Sequence, residues 1–141
     1  MLIGIVLIID SVTKIIISKK MLVGDSVTLI PKLLDITYVQ NKGAAWGIFS
    51  NNPMLLTCFI IILLIALVIY LIKANPKALE RYSLHLIIAG GLGNIISRIQ
   101  YGFVVDFLNI HIIPVFNIAD ISICIGCGLL LLAVLFFDKN D

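Results

Sequence analysis

From Met54 to Ile72 the chain runs for 19 residues without a charge, and that run constrains everything else it can be. At 1.5 Å of rise per residue, such a helix spans roughly the 30 Å of a bilayer's hydrocarbon layer. Pro53 stands just before it, where a helix's first turn has no use for the missing N–H. A soluble fold would have to bury this helix on all sides, but 61% of the residues are hydrophobic and only 13% are charged, far from a soluble domain's balance. The chain therefore reads as an integral membrane protein. Its 141 residues leave room for about four spanning helices with modest loops, in one domain covering residues 1–141. A formal charge of +2 supplies no basic stripe, so nucleic acid is excluded as a partner.

The predicted fold class is an all-α membrane protein with helices over about residues 2–18, 54–72, 83–100 and 117–137. The first is apolar except for Asp10 and Lys14, which stand four apart and so share one helix face, either as a self-neutralising pair or as braces for a polar site. No charged run follows Met1 and two charges interrupt the apolar core, so a retained helix is expected here and not a cleaved signal peptide. Between about residues 19 and 52 the apolar run breaks up, and residues 26–30 and 34–39 alternate with a strand-like period. These predict a small β-rich cradle outside the hydrocarbon, between the first two helices. The loop ends in Asn41-Lys-Gly43-Ala44-Ala45-Trp46-Gly47, whose small residues allow close backbone approach and whose Trp46 suits the interfacial level.

The third helix carries Gly90, Gly91 and Gly93, which let neighbouring helices come close, then Asn94 and Arg98 on one face. Small residues alone would mean packing, and Arg98 alone could snorkel to headgroups or complement the C-terminal end of its helix dipole. Beyond them come Asp106 and Asp120, fourteen positions apart in an otherwise apolar stretch at one membrane face. Asp106 is open to reading as a solvated loop residue, and Asn117 with Asp120 as a helix cap followed by an acid the dipole favours. Yet two carboxylates at the edge of hydrocarbon are costly, and brought together they form a coupled acid and base. One ionised aspartate can then take a proton from a water attacking a carbonyl carbon, while the protonated one hydrogen-bonds to the carbonyl oxygen.

Cys58, Cys124 and Cys127 lie in apolar runs and read as small buried hydrophobes. His85 and His111 have no nucleophile nearby, and no cluster of metal ligands is present, so neither metal nor cofactor is expected. Lys73, Lys77 and Arg81 crowd the connector between the second and third helices and mark it as cytoplasmic, although Lys19, Lys20, Lys32 and Lys42 in the long loop oppose this. With an even number of helices both termini are then cytoplasmic, and the aspartates face outward. An ion-coupled carrier would also keep Asp, Asn and Arg in a membrane, but it usually shows internal repeats, and none is visible. A purely structural subunit has no need of two acids at one face.

Five stretches carry a resemblance: Asp10-x-x-x-Lys14, Asn41-x-Gly43-Ala44-Ala45-Trp46-Gly47, Gly93-Asn94-x-x-x-Arg98, Gly102-x-Val104-Val105-Asp106-Phe107 and Phe116-Asn117-x-Ala119-Asp120. In these, and over essentially its whole length, the chain resembles the bacterial lipoprotein signal peptidases, the signal peptidase II family of membrane aspartic proteases. The resemblance implies Asp106 and Asp120 as the catalytic pair, and Asn41, Gly43, Asn94, Arg98 and Asn117 as a supporting polar shell braced by Asp10 and Lys14. It also implies prolipoprotein substrates cut before a diacylglyceryl cysteine, contact with membrane lipids, a monomer in the bacterial cytoplasmic membrane and an active site toward the outer face. The chain departs from the family pattern at Ser97, where an aspartate is usual, at Ser11, where a glutamine is usual, at the shifted Ala89-Gly90-Gly91, and at Trp46 in place of phenylalanine. Ser97 bears on whatever partner Arg98 has.

Overall fold

The computed structural model describes residues 1–43, 49 and 51–137. They form α1 (Leu2–Lys20), β1 (Ser26–Ile30), β2 (Leu34–Asn41), α2 (Pro53–Ala74), α3 (Ala78–Tyr101), β3 (Val104–Asn109) and α4 (Ile118–Leu132), which runs on into a π-helical turn at Ala133–Phe137. Ala44, Ala45, Trp46 and Gly47, and with them the expected interfacial anchor, lie outside the described residues.

The helix ends have local causes. Helix α2 opens on Pro53 and closes at Asn75 in a left-handed conformation, with Pro76 beyond it to stop the helix. Helix α3 begins at Ala78, earlier than its apolar pattern suggests, because Glu80 in its first turn complements the positive end of the dipole. It stops at Gly102, whose φ of 76° is free of strain for glycine alone and whose amide bonds the Arg98 carbonyl. The chain then leaves directly as β3.

The sheet is antiparallel in the order β1-β2-β3. Strands β1 and β2 fall on the two alternating stretches of the long loop. Strand β3 does not follow from the sequence pattern, which reads there as a connector: Val104 to Phe107 are buried on both faces, so no apolar–polar alternation announces the strand. On one side of the sheet Tyr38, Val105 and Phe107 form a core with Ile17 and Met21 from the end of α1 and Ile118 from the start of α4.

Helix α3 is central and packs on α1, α2 and α4. Its tightest contact is with α4. A Cβ on Gly90 would collide with the Ala119 carbonyl, and one on Gly126 would stand 2.8 Å from the Ser83 carbonyl. Polar side chains gather in the interior, with Asp10 and Lys14 buried, while Phe59, Ile62 and Ile72 of α2 are each more than 60% exposed. This inverts the pattern of a water-soluble bundle. Helix α2 (Pro53–Ala74) and the segment Ile118–Phe136 are long and apolar enough to cross a membrane.

The close α3–α4 contact makes a prediction. Gly90→Ala should cost about 1–3 kcal/mol in detergent by overpacking, whereas Gly128→Ala, with open space around it, should be neutral or gain up to about 1 kcal/mol of helix propensity. Thermal unfolding of the two variants beside the parent chain checks this.

Candidate active site

Asp106 is placed by β3. Strand alternation sends Val105 and Phe107 into the core beneath the sheet and turns Asp106 to the opposite side, where it is 2% exposed. Two carboxamides hold it there. Asn41, at the end of β2, donates Nδ2–H to Asp106 Oδ2 at 2.8 Å, and Asn117 donates Nδ2–H to Oδ1 at 2.6 Å. Asn117 comes within reach because the connector doubles back on β3, with Phe116 exchanging backbone hydrogen bonds with Leu108.

Asp120 is placed by the start of α4. Asn117 is the N-cap and accepts the Asp120 amide at 3.0 Å, while Asp120 Oδ2 accepts the Asn117 amide at 3.1 Å, a reciprocal capping box. Its other oxygen, Oδ1, accepts Nδ2–H of Asn94 on α3 at 2.8 Å. The capping reading and the site reading of Asp120 thus hold together, because each carboxylate oxygen serves one of them.

Behind Asn94 stands the buried pair from α1. Lys14 Nζ donates to Asp10 Oδ2 at 2.7 Å and to Asn94 Oδ1 at 3.0 Å. Asp10 Oδ1 accepts the Ala119 amide at 3.0 Å, so its charge sits at the positive end of α4. Asn117 also donates to Asn94 Oδ1, at 3.2 Å. The predicted residues Asp10, Lys14, Asn41, Asn94, Asp106, Asn117 and Asp120 therefore form one connected network. Gly43 joins through its amide, which bonds Asn41 Oδ1 at 2.9 Å, and through its carbonyl, which accepts Arg98 Nη2–H at 2.7 Å.

Arg98 needs no partner beside it in sequence. Ser97 turns away and gives its hydroxyl proton to the Gly93 carbonyl, while the guanidinium reaches Gly43 and lies in the field of both Asp106 and Asp120. Its Nε is the one buried side-chain nitrogen or oxygen without a hydrogen-bond partner among the described residues.

Asp106, Asp120, Asn41, Asn94 and Arg98 line one cavity of about 420 Å³, walled on its apolar sides by residues that include Leu56 and Ile60 of α2 and Ile123 of α4. Burial, and next the charge of Asp120, push the Asp106 carboxyl up to about 6, against the hydrogen bonds from Asn41 and Asn117 and the charge of Lys14. Such a pair holds one proton between two carboxylates over a range of pH, an arrangement suited to acid and base work at a single carbonyl. His111 lies apart and meets Asp35 at 3.2 Å on the sheet. Sequence reasoning missed Ala119, whose backbone amide anchors Asp10, and the Ile113–Phe116 wall of the cavity, since backbone donors and loop walls leave no side-chain signature. Among the described residues no group of three or more His, Cys, Asp or Glu is placed to hold a metal ion.

A family model described as signal peptidase (SPase) II matches residues 2–136. The lipoprotein signal peptidase of Clostridium acetobutylicum is 39% identical over 141 residues, covering 96% of this chain and 90% of the relative. That of Staphylococcus carnosus is 46% identical over 141 residues, covering 96% and 89%. A bacterial membrane enzyme solved by the in meso method at 2.3 Å superposes with a TM-score of 0.93 and 42% identity over 99% of this chain and 88% of its own. A second such enzyme, solved at 1.9 Å, gives a TM-score of 0.88 and 41% identity over 99% and 92%.

The buried ion pair predicts an asymmetric stability response. Lys14→Met strands Asp10 without a counter-charge and should cost about 3–5 kcal/mol. Adding Asp10→Asn, which keeps an acceptor for the Ala119 amide, should restore most of that loss. Thermal or denaturant unfolding of both variants in detergent is the check.

Proposed function

The chain belongs to the signal peptidase II family, and on that premise we propose that it removes the signal peptide from diacylglyceryl-modified prolipoproteins, cutting before the lipidated cysteine with Asp106 and Asp120 as the catalytic pair. Proteolysis itself follows from the family. The observation that carries the catalytic assignment is that these two carboxylates, far apart in sequence, line the same cavity, with each oriented by carboxamide donors.

In this reading the pair enters the cycle with one proton. The ionised carboxylate takes a proton from a water held between the two, and the water oxygen attacks the scissile carbonyl. The protonated carboxyl donates to the carbonyl oxygen as it gains negative charge, a charge that the nearby Arg98 guanidinium also favours. Collapse breaks the C–N bond, the leaving amine takes a proton from the pair, and the starting state returns. Asn41, Asn94 and Asn117 fix the carboxylates so that little reorganisation is needed at the moment of reaction.

The membrane setting belongs to the same proposal. Residues 1–141 act as one domain and a monomer, with α1 and α3 crossing the bilayer beside α2 and α4. Their buried Asp10, Lys14 and Asn94 are shielded from lipid by the bundle, which supports immersion of these less apolar helices. The basic residues Lys73, Lys77 and Arg81 put the α2–α3 connector and both termini in the cytoplasm, with the sheet and the aspartates toward the outer face. A diacylglyceryl anchor then confines the substrate to the bilayer and delivers it by lateral diffusion.

Cleavage of a diacylglyceryl prolipoprotein by purified protein is the test. Asp106→Asn and Asp120→Asn should each abolish turnover while keeping the parent's unfolding temperature within a few degrees, and parent-like cutting by either would overturn the pair. The pH profile adds a signed expectation. With the upper ionisation at about 6, kcat/KM should fall on the basic side as the last shared proton leaves. Asn41→Ala removes a donor that favours the ionised form, so that basic limb should move to higher pH.

A further inference from the structure

A second cavity, of about 60 Å³, lies behind the site. The alternation of β3 separates the two spaces: Val104 and Asp106 line the front cavity, Phe103 and Val105 the rear one. Helix α3 divides them in the same way, with Arg98 in front and Ser97 behind.

Lys14 connects them. Its side chain lines the rear cavity, yet its ammonium bonds Asn94, which lines the front. The residue is 4% exposed, and among the described residues its ammonium has two acceptors, Asp10 and Asn94. An ammonium carries three donors, and one left unmet in a dry interior is costly. Ser11, Ser97 and Gln100 also line the rear cavity. Ser97 spends its proton on the Gly93 carbonyl, which leaves its oxygen's lone pairs as acceptors. The space fits about two water molecules at roughly 30 Å³ each.

We propose that the rear cavity is a hydration site, in which water accepts the third N–H of Lys14 and passes hydrogen bonds on to Ser11 and Ser97. Its use appears when the front cavity fills. A lipid-anchored peptide entering there displaces the front water, but Lys14 keeps a solvent partner from behind. The ammonium therefore keeps its full set of hydrogen bonds in the substrate complex, continues to hold Asn94 Oδ1, and so keeps Asn94 Nδ2–H aimed at Asp120. Lys14, Ser11 and Ser97 act as positioning residues. The kinetic consequence rests on the peptidase reading above; the hydration site itself does not.

Two measurements on the full chain test this. In a crystal structure grown from lipid, ordered solvent should appear within hydrogen-bond distance of Lys14 Nζ on its rear side; a dry cavity, or one filled by lipid, overturns the proposal. In steady-state cleavage, Ser97→Val fills the space without a polar atom, whereas Ser97→Thr is of nearly the same size and retains a hydroxyl. Loss of a hydrogen bond to a charged group predicts that Ser97→Val lowers kcat about tenfold or more with little change in KM. Ser97→Thr should recover most of that loss. Ser11→Val, which fills the cavity from α1, should act like Ser97→Val and decides the matter if the latter fails to fold. Equal losses in the Val and Thr variants, or no loss in either Val variant, overturn the proposal. A parent chain that cuts no lipidated substrate would sink the peptidase reading instead, and the crystallographic solvent would still decide the hydration site.

Discussion

A carboxylate and an ammonium removed from water inside an apolar bundle set the terms for everything around them. Asp10 and Lys14 are each almost wholly buried, and the cost of desolvating two charges is of the order of several kcal/mol per ion unless each is fully bonded. The fold meets that demand with groups drawn from three helices. Lys14 takes its second acceptor from α3, and Asp10 takes its second donor from the first turn of α4. Close approach makes this possible: at Gly93 a Cβ would stand 2.7 Å from an Asp10 oxygen. The pair thus fixes where α1, α3 and α4 meet, and the carboxylates of Asp106 and Asp120 are built upon that junction.

Asparagine is well suited to the layer between. Each of the three carboxamides spends its NH2 group on a carboxylate and its oxygen on a donor: Gly43 N–H for Asn41, Lys14 for Asn94, and the Asp120 amide for Asn117. The orientation of every amide is therefore set by its neighbours, and among the described residues neither aspartate is locked by a direct ion pair that would drain its basicity. The charge of Arg98 stays one step removed, tied to a backbone carbonyl. A carboxyl shifted upward by burial while held by neutral donors can gain and lose a proton without dismantling its surroundings.

Much of this was legible in the sequence because the physics of a bilayer makes polar residues conspicuous. Asp10, Lys14, Asn94, Arg98, Asp106 and Asp120 stand out against apolar runs, and the four-residue spacings of Asp10 with Lys14 and of Asn94 with Arg98 assign helix faces directly. The two strands of the long loop alternate and were equally readable. Strand β3 was not, since a segment buried on both faces has no period to detect. Nor was the start of α3, where an acidic first turn outweighs a weak apolar pattern. The direction of Ser97 was also hidden: sequence adjacency suggested a partner for Arg98, but neighbouring residues on a helix point about 100° apart, which turns Ser97 toward a different cavity from Arg98.

The capping box at the start of α4 has an evolutionary corollary. Asn117 and Asp120 each serve the helix terminus with one side-chain atom and the site with another, so a substitution that removes either side chain strikes the cap and the site at once. Truncation there offers selection no intermediate that is merely slow or merely loose. Asn41, at a strand end, caps no helix; its side chain ties the Gly43 amide to Asp106. If the two aspartates are the proposed acid and base, substitutions that retune them are therefore borne more readily on the sheet side of the cavity than on the helix side.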